Sequence, residues 1–120
     1  MLKLKQTLER AKELQERGWG RRVLIDKNGK CCMLGALTLA KDPNFEPPAS
    51  YSDLGIESEA MALASAIREV DGDPPEVSKA ADPLLYSRAL SKVWQTNDQP
   101  KRTLQEILHY FDAAIRNAEE

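Results

Sequence analysis

The chain has 120 residues, 17 basic against 19 acidic side chains, a net charge of −2 and 42% hydrophobic residues, the size and balance of one globular domain spanning 1–120. Surface scaling gives about 6,500 Å² folded against about 19,000 Å² unfolded, so a substantial core can form. No run approaches the roughly 18 apolar residues of a membrane span, the N-terminus alternates Leu and Lys where a signal region would be apolar, and two adjacent cysteines make a strained bridge; the expected setting is cytoplasmic, with no membrane partner.

Leu4, Leu8, Ala11 and Leu14 fall on one helical face, predicting a first helix over 2–17 that Gly18 stops in a left-handed conformation. Asn28-Gly29, flanked by β-branched and aliphatic residues, predicts a β-hairpin over 21–32. A two-residue turn there pairs Ile25 with Cys32 and turns Cys32 toward Val23 and Ile25; a three-residue turn with Gly29 in a bulge shifts the pairing by one. Of the two, the register with Cys32 inward is favoured. Residues 33–40 are almost wholly apolar and read as a short buried helix, with Gly35 marking a close backbone approach.

Pro43, Pro47 and Pro48 impose a loop over 41–55, tacked down by Phe45 and Tyr51. A third helix should start at Ser58 as N-cap and run to about Val70, and a fourth should run from Pro83 in the first turn to about Trp94. Thr103-Leu-Gln-Glu106 is a capping box opening a last helix with Leu104, Ile107, Leu108, Phe111 and Ala114 on one face. The fold class expected is α+β: one mostly helical domain with a β-hairpin after the first helix.

Residues 1–30 hold nine basic and four acidic side chains, whereas 42–82 hold two basic and ten acidic. A basic patch at Arg21 and Arg22 could meet a phosphate-bearing partner, and Lys101 and Arg102 could extend it. The plainer reading has the basic and acidic segments facing each other, and a pI near 5.5 argues against nucleic acid as partner.

Cys31 and Cys32 precede a helix N-terminus, where the backbone dipole favours a thiolate, so they are the candidate nucleophiles of a thiol-dependent hydrolase or transferase. Such an enzyme needs a base within reach. The single histidine, His109, falls roughly 160° from the centre of its helix's apolar stripe and points to solvent. Neither Cys-x-x-Cys nor His-x-x-x-His spacing occurs, Asp71, Asp73 and Glu76 lack the calcium-loop pattern, and no phosphate-binding glycine loop is present, so no metal and no cofactor are expected. Asn97-Asp98-Gln99-Pro100-Lys101-Arg102-Thr103 suits an Asx turn between helices, with Asp98 and Arg102 as possible pocket contacts beside Trp94.

Gly18-Trp19, Asp26-Lys27-Asn28-Gly29, Cys32-Met33-Leu34-Gly35-Ala36 and Asn97-Asp98-Gln99-Pro100-Lys101-Arg102-Thr103 together resemble an uncharacterised family, a domain of unknown function, of small actinobacterial and actinophage proteins. The resemblance covers nearly the whole chain, and implies a bacterial or phage setting and no assigned activity. The family has Trp directly before Asn-Asp, where this chain has Thr96 and places Trp94 two residues earlier. The expected function is that of a small intracellular accessory or protein-interaction domain without catalysis, contacting another protein through Trp19, Arg21, Arg22, Trp94, Asp98 and Arg102.

Overall fold

A computed structural model describes residues 3–21, 24–45, 54–74 and 84–118. Among the described residues the apolar stripes become five α-helices: α1 (Leu4–Arg17), α2 (Met33–Lys41), α3 (Glu57–Asp71), α4 (Leu85–Asn97) and α5 (Leu104–Asn117). Helix α5 is sandwiched, with α1 on one side and α3 on the other, while α2 backs α1 and α4 backs α3. Its stripe of Ile107, Phe111 and Ala114 shares one buried core with Leu8 and Ala11 of α1 and Leu63 and Ile67 of α3. Phe45 packs on this core from the loop after α2. Tyr51, Pro47, Pro48, Glu76 and Pro83 lie outside the described residues, as do Arg22 and Val23.

The α+β expectation is corrected by the structure: among the described residues there is no strand and no sheet, and the domain is all-helical. In place of a hairpin, Cys31 alone is bridged on both edges, to Trp19 in parallel and to Ile25 antiparallel. On one edge the Cys31 N–H donates to the Gly18 carbonyl (3.0 Å) and the Gly20 N–H to the Cys31 carbonyl (2.9 Å). On the other, Asp26 N–H reaches Lys30 O (2.8 Å) and Cys32 N–H reaches Leu24 O (3.2 Å). A ladder cannot lengthen because Cys32 is already the N-cap of α2. The turn is the three-residue alternative: Gly29 sits at φ 82°, its N–H bonded to Asp26 O, and Asp26 Oδ1 accepts from the N–H groups of Asn28 and Lys30. Both cysteines are buried, at 1% and 4% exposure, so the favoured register with only Cys32 inward does not hold.

Three helix ends also differ from expectation. Gly18 is extended at φ −175°, which lets its carbonyl meet Cys31, where a left-handed stop was expected. Ile56, with Ser58 inside the helix, occupies the N-cap position of α3, and Glu57 and Glu59 complement the dipole of its first turn. Helix α4 runs three residues past Trp94, which makes Asn97 its last residue.

Candidate functional site

Asn97 is fully buried, and an amide has two donors and an acceptor to satisfy there. Its Oδ1 accepts from Trp19 Nε1 (2.8 Å) and from the Met33 N–H (3.0 Å). Its Nδ2 donates to the Gly20 carbonyl (3.0 Å) and to Asp98 Oδ1 (3.0 Å). The end of α4 thereby locks the Trp19 loop to the first turn of α2. Met33 N–H is one of the orphan donors of that turn, and thiol sulfur is a weak acceptor, so Asn97 completes a cap that Cys32 Sγ makes only at 3.5 Å from Gly35 N.

A second set of bonds continues the seam. Arg102, with its side chain 8% exposed, donates from Nε to the Thr96 carbonyl (3.0 Å) and from Nη1 to Glu106 Oε2 (2.9 Å) and Tyr110 Oη (2.8 Å). Its Nη2 donates to Gln99 Oε1. Tyr110 Oη donates its own O–H to Asp71 Oδ1 (2.8 Å), and burial together with that bond raises its pKa. Arg21 lies over the Trp19 ring, 5.0 Å from its centroid, and donates to the Arg102 carbonyl.

The structure thus brings Trp19, Arg21, Asp98 and Arg102 together, and Asn97, which sequence reasoning assigned to a turn, is their centre. Asn97 has both its amide donors and its acceptor engaged, and Asp98 has a further partner besides Asn97. Trp94 stands apart at 39% exposure; with Leu84 at 59% it is one of two large apolar side chains exposed among the described residues. Leu84 borders a cleft of about 380 Å³ that runs along α4 past Ser87, Ser91 and Gln95 to Arg68 of α3.

Cys31 and Cys32 touch this seam from inside. Gln15 Nε2, buried, donates to the Cys31 carbonyl (2.8 Å) and approaches its Sγ (3.5 Å). Burial, with Cys32 and Asp26 nearby, pushes the Cys31 thiol up to about 12. Burial likewise pushes Cys32 up to about 11, the Gly35 N–H offsetting only part of it. The α2 N-terminus would favour a thiolate, but desolvation outweighs it because both cysteines are buried. His109 is exposed on α5 and borders a different cavity, of about 330 Å³, with Val70, Asp71 and Glu106. Among the described residues no group of three His, Cys, Asp or Glu could hold a metal ion, and no helix is long and apolar enough to cross a membrane.

This arrangement defines a small all-helical domain knitted by a polar seam, and its sequence matches a family of unknown function across residues 1–117. The chain belongs to that family, DUF6197. No curated protein matches the chain, and no solved structure does.

Proposed function

We propose that the chain, as one domain over 1–120, is a small cytoplasmic accessory domain of a bacterium or phage that works by binding another protein and performs no catalysis. The observation that carries this reading is the contrast between the seam and α4. Trp19, Asp98 and Arg102 hold the fold, whereas Trp94 is left exposed on α4 and Leu84, at the N-cap of that helix, is exposed on the edge of a cleft; exposed aromatic anchors are the side chains from which interface hot spots are built. Trp94 is therefore the contact residue of the candidate set, and Trp19, Asp98 and Arg102 are scaffold. Arg22 of the candidate set lies outside the described residues.

A second reading, a thiol-dependent hydrolase or transferase using Cys31 or Cys32, draws on the position of Cys32 at the N-cap of α2. It requires a thiolate near neutral pH and a base beside it. Alkylation separates the two. Iodoacetamide at pH 7 should leave both cysteines of the native protein unmodified while labelling both in denaturant, followed by intact mass. Rapid labelling of one cysteine in the folded protein, with an apparent pKa well below the roughly 8.5 of a free thiol, would replace the binding reading with the enzymatic one.

A further inference from the structure

Seven arginines lie among the described residues, and five of them are engaged. Arg21 and Arg102 belong to the seam, Arg116 reaches Glu69 (3.6 Å), and Arg68 and Arg88 each have a partner. Arg10 and Arg17 have neither an ion-pair nor a hydrogen-bond partner for their guanidinium groups among the described residues. These two are not scattered. Both are exposed on α1, seven residues apart and so on one face, about 10.5 Å from each other along the axis. Both line one groove of about 370 Å³, in which Leu14 of α1 faces Leu39 of α2 and Pro43. Leu14 and Leu39 are half-buried and pack on the core behind them, so the floor is apolar and fixed. Glu13 is the one carboxylate on the lining, between the two arginines.

We propose that this groove between α1 and α2 is a docking site for an acidic amphipathic helix of another protein. The partner helix presents carboxylates seven residues apart to Arg10 and Arg17, and apolar side chains, three and four residues along, to Leu14, Leu39 and Pro43. The match follows from shared geometry: a helix laid along α1 has the same rise, so its residues i and i+7 meet the two guanidinium groups while i+3 and i+4 meet the floor. Glu13, between the two arginines, repels a uniformly acidic segment, and the two guanidinium groups repel a basic one. The excess of basic residues over 1–30 adds a field that draws an acidic partner toward this end of the molecule. The proposal rests on the protein-binding reading and adds to Trp94 a second surface with a stated partner chemistry.

The test uses a fluorophore-labelled, helix-stapled peptide of about 18 residues, long enough to hold its helix. It carries Glu at two positions seven apart with Leu at the third and fourth positions between, and a control peptide carries Lys in place of Glu. Anisotropy titration with the full-length protein should show saturable binding of the Glu peptide that weakens as salt rises. The double variant R10E/R17E, its fold checked by circular dichroism and thermal melting, should bind the Glu peptide about tenfold more weakly and should prefer the Lys peptide. Absence of saturable binding, equal binding of both peptides by the unmodified protein, or unchanged binding of the Glu peptide by R10E/R17E would overturn the docking site. Those results leave the non-catalytic reading to the alkylation test, which no property of this groove affects.

Discussion

Asn97 makes three side-chain hydrogen bonds to residues 64 to 78 positions away in the chain. Truncating it leaves Trp19 Nε1–H, the Met33 N–H and the Gly20 carbonyl without their partner, and each unpaired buried polar group costs about 1–3 kcal/mol. These costs are not additive, so Asn97→Ala should destabilise by about 3–5 kcal/mol in urea denaturation. Asn97→Asp keeps the acceptor but sets a new carboxylate against Asp98 and the Gly20 carbonyl. Burial and a like charge raise the folded pKa of that carboxylate above its unfolded value near 3.9, so its deficit should be largest above the folded pKa and shrink as pH falls toward the unfolded value. A deficit independent of pH would show that the lost donor, and not the charge, dominates. The thiols give the opposite end of the pH scale. Their pKa values are raised to about 12 and about 11, so folded cysteines stay protonated where unfolded ones ionise. Their contribution to stability is complete below about pH 8.5 and declines between there and pH 11 by up to about 1.4 kcal/mol per pH unit per thiol. In denaturation curves under reducing conditions a Cys32→Ala variant should lose stability over that range less steeply than the parent.

At the scale of elements, α2 depends on how closely the chain passes it. A Cβ on Gly35 would lie 2.0 Å from the Leu24 carbonyl oxygen and 3.1 Å from Cys31 Cβ, which is the close approach the sequence pointed to. Alanine gains about 1 kcal/mol of helix propensity, but Leu24 must move and its bond to Cys32 N–H must stretch. Gly35→Ala should therefore still cost about 1–3 kcal/mol, read from the thermal midpoint; a neutral outcome would mean the 24–26 segment yields freely. Helix α5 opens on the capping box foreseen at Thr103, whose Oγ1 accepts from the Glu106 N–H (3.2 Å) while Glu106 Oε1 accepts from the Thr103 N–H (3.0 Å). Thr103→Ala should cost about 1 kcal/mol. These features were legible because they are local: a cap, a 3.6-residue stripe and a glycine each carry their signal within a few positions. The hairpin was misread for the same reason. Asn28-Gly29 and its aliphatic flanks make a turn whichever way the chain continues, and the limit on its arms comes from Cys32 entering α2 and from Gly18–Gly20 occupying the second edge of Cys31. Asn97 was out of reach, since its partners at 19, 20 and 33 leave no trace in the residues around it.

For the molecule as a whole, α5 is the shared wall of two helix pairs. Phe111 is fully buried there, and Phe111→Ala should remove about 3–5 kcal/mol in one cooperative transition with an unchanged denaturant slope, because neither pair keeps a complete apolar layer without it. Two transitions would show that α1–α2 and α3–α4 are separable units. Surface charge contributes less. Lys12–Asp112 (2.7 Å) ties α1 to α5, yet both ends are solvated and a pair of that kind contributes about 0.2–1 kcal/mol. Trp94 on α4 and Arg10 and Arg17 of the groove are exposed and stand outside the polar seam, so substituting these three should leave the melting temperature close to that of the parent.

The Trp19–Asn97 bond has a kinetic side. It joins residues 78 apart, and the neighbouring bond to Met33 joins residues 64 apart, whereas Thr103–Glu106 and the Asp26 turn close within four residues. Ordering a long loop costs entropy before its contacts give anything back, so the local elements should nucleate first and the bolt at Asn97 should slide home after the barrier is crossed. Asn97→Ala would then leave the refolding rate nearly unchanged and accelerate unfolding by roughly a hundredfold or more, a φ-value close to zero in a chevron plot. Slowed refolding would place the Trp19–Asn97 closure inside the folding nucleus. The lifetime of the native state, more than the speed of reaching it, is what this single amide sets.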